Sequence, residues 1–87
     1  MTTITIMGTV GAVPVQKNIG GKDYYQFSIA HRNGKEDTTW CRVIIPNYGQ
    51  DISKIDQGIK MLVIGRPIFG CYEGRAQVTI WADIYEV

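Results

Sequence analysis

Apolar residues recur at every second position through much of this chain, the period of a strand with one face buried. Tyr25, Phe27 and Ile29 alternate with Gln26, Ser28 and Ala30. Cys41, Val43 and Ile45 point one way, Trp40, Arg42 and Ile44 the other. Toward the C-terminus Val78, Ile80, Ala82 and Ile84 interleave with Thr79, Trp81, Asp83 and Tyr85. Two further β-rich runs span Thr2 to Val15 and Ile59 to Arg66. Gly8 and Gly11 punctuate the first of these, as a bulge or bend would require.

The segments between these runs carry turn chemistry. Lys17 to Asp23, with Gly20-Gly21 inside it, reads as a loop, as does Pro67 to Arg75 with Phe69 and Tyr72. His31 to Thr38 holds Asn33-Gly34, a strong hairpin signal, with charged flanks that suggest more than a two-residue turn. A single helix is predicted within residues 48–57, where Ile52 and Ile55 form an i, i+3 apolar pair and Gly58 supplies a stop. Five strands with one short helix between strands 3 and 4 is the order of an OB-fold, a Greek-key β-barrel. Residues 1–87 then form a single all-β domain. A small SH3-like barrel is the competitor; the helix position and the bent first strand favour the OB order. The alternation of strands and helices that a parallel α/β sheet needs is missing from the pattern.

Composition narrows the function. At 87 residues a single apolar core is near its lower working limit, so self-association is expected. A net charge of +1 argues against a cationic-tail mode of nucleic-acid binding, leaving local basic clusters and stacking. Cys41, Cys71 and His31 are too few for a zinc site, so neither metal nor cofactor is expected. The same residues sit in strand patterns, and neither a carboxylate pair on one element nor a phosphate-binding glycine loop occurs, so an enzyme is not expected. The chain lacks a secretory signal pattern and any apolar run near the roughly 20 residues that span a bilayer. A cytoplasmic protein with reduced thiols is the expectation.

Four collinear segments carry a resemblance. Ile6-Met7-Gly8-Thr9-Val10-Gly11-Ala12-Val13-Pro14, Phe27-Ser28-Ile29-Ala30, Thr38-Thr39-Trp40-Cys41-Arg42-Val43 and Gly58 through Arg66 together resemble the bacterial-type single-stranded DNA-binding proteins. The resemblance covers nearly the whole chain. It implies an OB barrel that binds single-stranded DNA without reading its sequence, in replication, recombination or repair. It also implies a homo-oligomer, a tetramer ahead of a dimer, which the β-rich edge at Thr2 to Met7 suits. Cys41 replaces the family's usual His at a position near subunit contacts, and Tyr72 stands about where many members carry a stacking Trp. The sequence ends at Val87 without the acidic tip through which many members recruit proteins, so tail-mediated recruitment is not expected.

The candidate binding residues are each open to a plainer reading. Trp40 offers a large π-face beside Arg42 for base stacking, or packs in the barrel or at a subunit contact. Tyr72 and Phe69 sit in a loop that often binds ligand in this fold, or cap the barrel mouth. Tyr48 either staples the helix entry or stacks on a base. Trp81 faces outward by alternation, and a subunit interface explains it equally well. Lys17, Lys22, Arg32, Lys35, Arg42, Arg66 and Arg75 lie on loops and strand ends that an OB groove would gather, unless Glu36, Asp37 and Glu73 cancel their field. Besides DNA binding, a replication-restart or protein-interaction module with weaker nucleic-acid affinity fits the residues. An oligosaccharide- or protein-binding OB protein is the third possibility.

Overall fold

The computed structural model describes residues 2–32 and 38–87, with all of their side chains except those of Tyr72 and Arg75. The Asn33-Gly34 hairpin and Lys35 lie outside the described residues. The elements are strands throughout: β1 (Ile4–Val10), β2 (Val15–Ile19), β3 (Lys22–Arg32), β4 (Thr38–Pro46), β5 (Lys60–Tyr72) and β6 (Arg75–Glu86). The sheet runs β1-β5-β6-β4-β3-β2, and β1 also pairs with β3 at Thr9 and Val10. The pairings therefore form a ring through β1, β5, β6, β4 and β3, with β2 hanging from the far half of β3. All neighbours are antiparallel except β4 and β6.

Inside the ring, alternate residues meet as the sequence pattern requires. Phe27, Ile29, Cys41, Val43, Ile45, Met61, Val63 and Ile80 are buried together with Ile6 and Val10. Each fully buried aliphatic side chain contributes about 1.5–3 kcal/mol through removal from water.

Two expected loops are strands instead. Lys17 to Asp23 is a hairpin in which Ile19 faces Lys22 across Gly20 (φ 59°) and Gly21 (φ 83°). Left-handed conformation at both turn residues matches the twist of the flanking strands, and glycine adopts it without steric cost. Pro67 to Arg75 is likewise the end of the β5–β6 hairpin, turning at Glu73 and Gly74. These arms project beyond the core. Their ladder bonds hold them extended while their described side chains, Pro67 apart, stay exposed, so no alternation marks them. The described residues thus form six strands rather than the expected five.

The predicted helix at 48–57 is not formed. Residues 47–59 make successive turns, with Ile55 N–H donating to the Ile52 carbonyl at 2.9 Å. Short polar side chains take the backbone donors a helix would use. Asn47 Oδ1 accepts from Gly49 N–H at 3.1 Å, and Asp51 Oδ1 from Ser53 N–H at 2.9 Å. Gln50 braces the segment, accepting from Tyr48 N–H at 3.0 Å and donating from Nε2 to the Pro46 carbonyl at 2.7 Å. Ile55 is buried and Ile52 packs on the core all the same. A turn serves that anchoring as well as a helix would.

Candidate nucleic-acid interface

Register decides which side chains share the outer surface. Across β3, β4, β6 and β5, one row joins Gln26, Ile44, Trp81 and Arg66, and the next joins Ser28, Arg42, Thr79 and Ile68. Ala30 pairs with Trp40 one step further, and Arg32 with Thr38 beyond that. In the opposite direction Tyr24 pairs with both Pro46 and Lys17, and Lys22 with Ile19. Directly opposed residues in a sheet share a face. Trp40, Arg42, Arg32, Arg66, Lys17 and Lys22 therefore lie on one outer face.

Trp40 is 57% exposed, although it sits between β-strand neighbours of the core. Its ring lies against Gly11, where a Cβ would come within 2.6 Å of Cζ3. Gly11 is held in place by its N–H donating to the Ser28 carbonyl at 2.8 Å. The indole is thus supported on the protein side and open to solvent on the other. Arg42 projects beside it, exposed, two residues along β4.

Lys60 went unnoticed in the sequence and belongs with this group. Thr9 pairs with both Lys60 and Ala30, so Lys60, Thr9, Ala30 and Trp40 make one lateral row. A groove of about 420 Å³ lies along it, lined by Arg32, Lys60 and His31 and, among the described residues, by no acidic one. Only the double pairing of β1 brings Lys60 near Ala30, which no local signal could reveal.

A second groove, of about 470 Å³, opens where Tyr24 meets Trp81. The two rings are edge to face, with centroids 5.2 Å apart and planes at 89°. Ile44 is buried at its floor despite its outward register. Arg66 Nη2 stands 3.9 Å from Asp83 Oδ1, both half-exposed, a pair worth about 0–1 kcal/mol. The outward reading of Trp81 is correct, whereas the strand-six alternation fails beyond it. A bulge between Ile64 and Gly65 shifts the register, so Tyr85 turns to the core and Ile84 is exposed.

Other candidates lie elsewhere. Phe69 is exposed but pairs with Val78, in register with buried Cys41, and so belongs to the opposite face. Tyr48 follows Pro46, the last residue of β4, about 20 Å along that strand from Trp40. Its hydrogen bond to Tyr85, with the charge of that phenol, holds the Tyr48 hydroxyl above its ordinary pKa. Tyr72 and Arg75 are backbone partners at the hairpin end. Burial pushes the Cys41 thiol up, and His31 Nδ1 lies 3.1 Å from the Met7 carbonyl. Neither arrangement makes a nucleophile, and among the described residues no group of three metal-ligating side chains forms.

No protein-family model matches the chain, and no curated protein does. Solved structures do. The second single-stranded DNA-binding protein of Mycobacterium smegmatis superposes with a TM-score of 0.75 at 20% identity, over 98% of this chain and 86% of that one. The mitochondrial single-stranded DNA-binding protein of S. cerevisiae gives 0.77 at 17% identity, over 99% and 94%. The dimeric N-terminal domain of PriB from Thermoanaerobacter tencongensis gives 0.70 at 17%, over 97% and 92%. This chain therefore has the fold of the single-stranded DNA-binding proteins.

Proposed function

We propose that this protein binds single-stranded DNA without sequence preference, as a non-enzymatic factor in replication, recombination or repair. The carrying observation is Trp40, seated on Gly11 with its outer face open, beside Arg42 on a surface that collects Arg32, Lys60, Lys17, Lys22 and Arg66. Stacking on exposed aromatics contributes about 1–3 kcal/mol per base and is tolerant of sequence, while scattered cations follow the phosphates. In this reading the strand ring is a five-stranded OB barrel over residues 1–87, with β2 as an added arm, working in the cytoplasm. Tyr72, Arg75 and Lys35 belong to the same proposal as further contacts to the strand.

Tryptophan emission titrated with oligo(dT), single-stranded RNA and duplex DNA of equal length tests this reading. Tight quenching by oligo(dT) and weak response to duplex is expected; equal response to duplex, or none, overturns it. A replication-restart module is the second reading, favoured by the similarity to the PriB domain. It predicts weak oligo(dT) binding.

Self-association belongs to the same proposal, with a homotetramer ahead of a dimer. The outer side of β1, β5 and β6 carries Met7 and Ile84, each 60% exposed, beside Leu62 and Ile64. An apolar sheet face of this kind suits a second copy, and at Met7 it adjoins the groove lined by Arg32 and Lys60.

A further inference from the structure

The groove between Tyr24 and Trp81 has an aromatic rim, an aliphatic floor at Ile44 and one carboxylate, Asp83, in its wall beside Arg66; the Asp23 carboxylate accepts from Asn18 Nδ2 on the other face of the hairpin. Carboxylates repel a phosphate backbone but accept hydrogen bonds from a donor. The groove is continuous with the surface already described: Ile44 follows Arg42 on the same face of β4, about 13 Å along the strand from Trp40. Arg42 stands between the two aromatic positions, and Lys17 and Lys22 flank the far side.

We propose that this groove takes one base of the bound strand, and that the Asp83 carboxylate favours a base with an exocyclic amino group over thymine. This rests on the single-stranded DNA reading and replaces its indifference to sequence, at this one position, with a modest base preference. The base lies against the rings of Tyr24 and Trp81, and its amino group donates to Asp83. The flanking phosphates fall to Arg42 on one side and to the lysines on the other. A carboxylate accepts from the amino group of cytosine, whereas thymine offers a carbonyl oxygen at that position.

The chain has two tryptophans, so each aromatic position can be made its own reporter. Trp40→Phe leaves Trp81 as the emitter, and Trp81→Phe leaves Trp40. Saturating oligo(dC) is expected to quench both single-tryptophan proteins, with oligomer size by light scattering unchanged. Quenching of Trp40 with unmoved Trp81 emission overturns the groove site and leaves the Trp40 surface standing. Quenching of Trp81 that appears only with a change of oligomer size overturns it as well. Failure of both proteins and of the unsubstituted chain to bind overturns the single-stranded DNA reading itself. The preference is read separately from the Asp83→Asn variant. The affinity ratio of oligo(dC) to oligo(dT) should fall roughly two- to tenfold relative to the unsubstituted protein, the range of one net hydrogen bond. An unchanged ratio overturns the amino-group preference.

Discussion

Gly11 and Trp40 are in van der Waals contact, and a Cβ on Gly11 would sit 2.6 Å from the indole Cζ3. The ring that the DNA reading needs is thus positioned by a residue with no side chain, at the end of a different strand. Gly11→Ala should leave the backbone intact, since its dihedral is open to other residues, and the exposed indole can swing aside. Melting temperature should stay level or rise slightly, through about 0.4–1 kcal/mol of lost unfolded-state freedom. Oligo(dT) affinity should fall. A lower melting temperature with unchanged affinity would remove Gly11 from the site.

Trp40→Ala should cost about 1–3 kcal/mol of binding to every sequence. Arg42→Ala should flatten the salt dependence, by about 0.7 in slope if one single-strand phosphate contact is lost. If Trp40 instead supports the fold or an interface, its removal will lower melting temperature or oligomer size while affinity per folded molecule holds. Thermal melts and light scattering beside the titration separate the two outcomes.

Gly65 lies at the bulge that reverses the end of β6. A Cβ there would overlap the Trp81 carbonyl oxygen and come within 2.8 Å of Ala82 Cα, backbone atoms that cannot move aside. Gly65→Ala should destabilise the protein by about 1–3 kcal/mol or more, measured by urea denaturation. Equal stability would mean that the bulge is not fixed by this approach.

The two thiols should behave differently. Cys71 is exposed, while Cys41 is 3% exposed and burial raises its pKa above the ordinary 9.0. One thiol should react with a maleimide in the native state and two after denaturation. The unfolded thiol ionises first as pH rises, so the Cys41 contribution to stability is complete below pH 9.0 and declines above it. Cys41→Ala should remove that part of the alkaline loss seen in denaturation curves taken across this range.

Ile84→Glu places a charge on the apolar side of β1, β5 and β6. Light scattering at tens of micromolar should show dissociation, with oligo(dT) affinity per subunit changed less than by Trp40→Ala. An unaltered assembly would move the subunit contact to another surface.

Alternation alone determined the all-β class, the buried set on β3, β4 and β6, and the outward placement of Trp40, Arg42 and Trp81. That information is legible because a strand's two faces differ in burial at every residue. The hairpin arms at Lys17 to Asp23 and Pro67 to Arg75 stand outside the core, so their pairing left no such mark. At 48–57 the spacing of Ile52 and Ile55 identified the anchoring residues but not the backbone, because Asn47, Gln50 and Asp51 divert its donors into turns. Tertiary structure alone decided the rest. Lys60 joins Trp40 only because β1 pairs on both sides, Tyr24 meets Trp81 only across β4, and the bulge at Gly65 exchanges Ile84 for Tyr85. Each depends on register between strands distant in sequence, which is fixed by packing the whole ring rather than by any local run of residues.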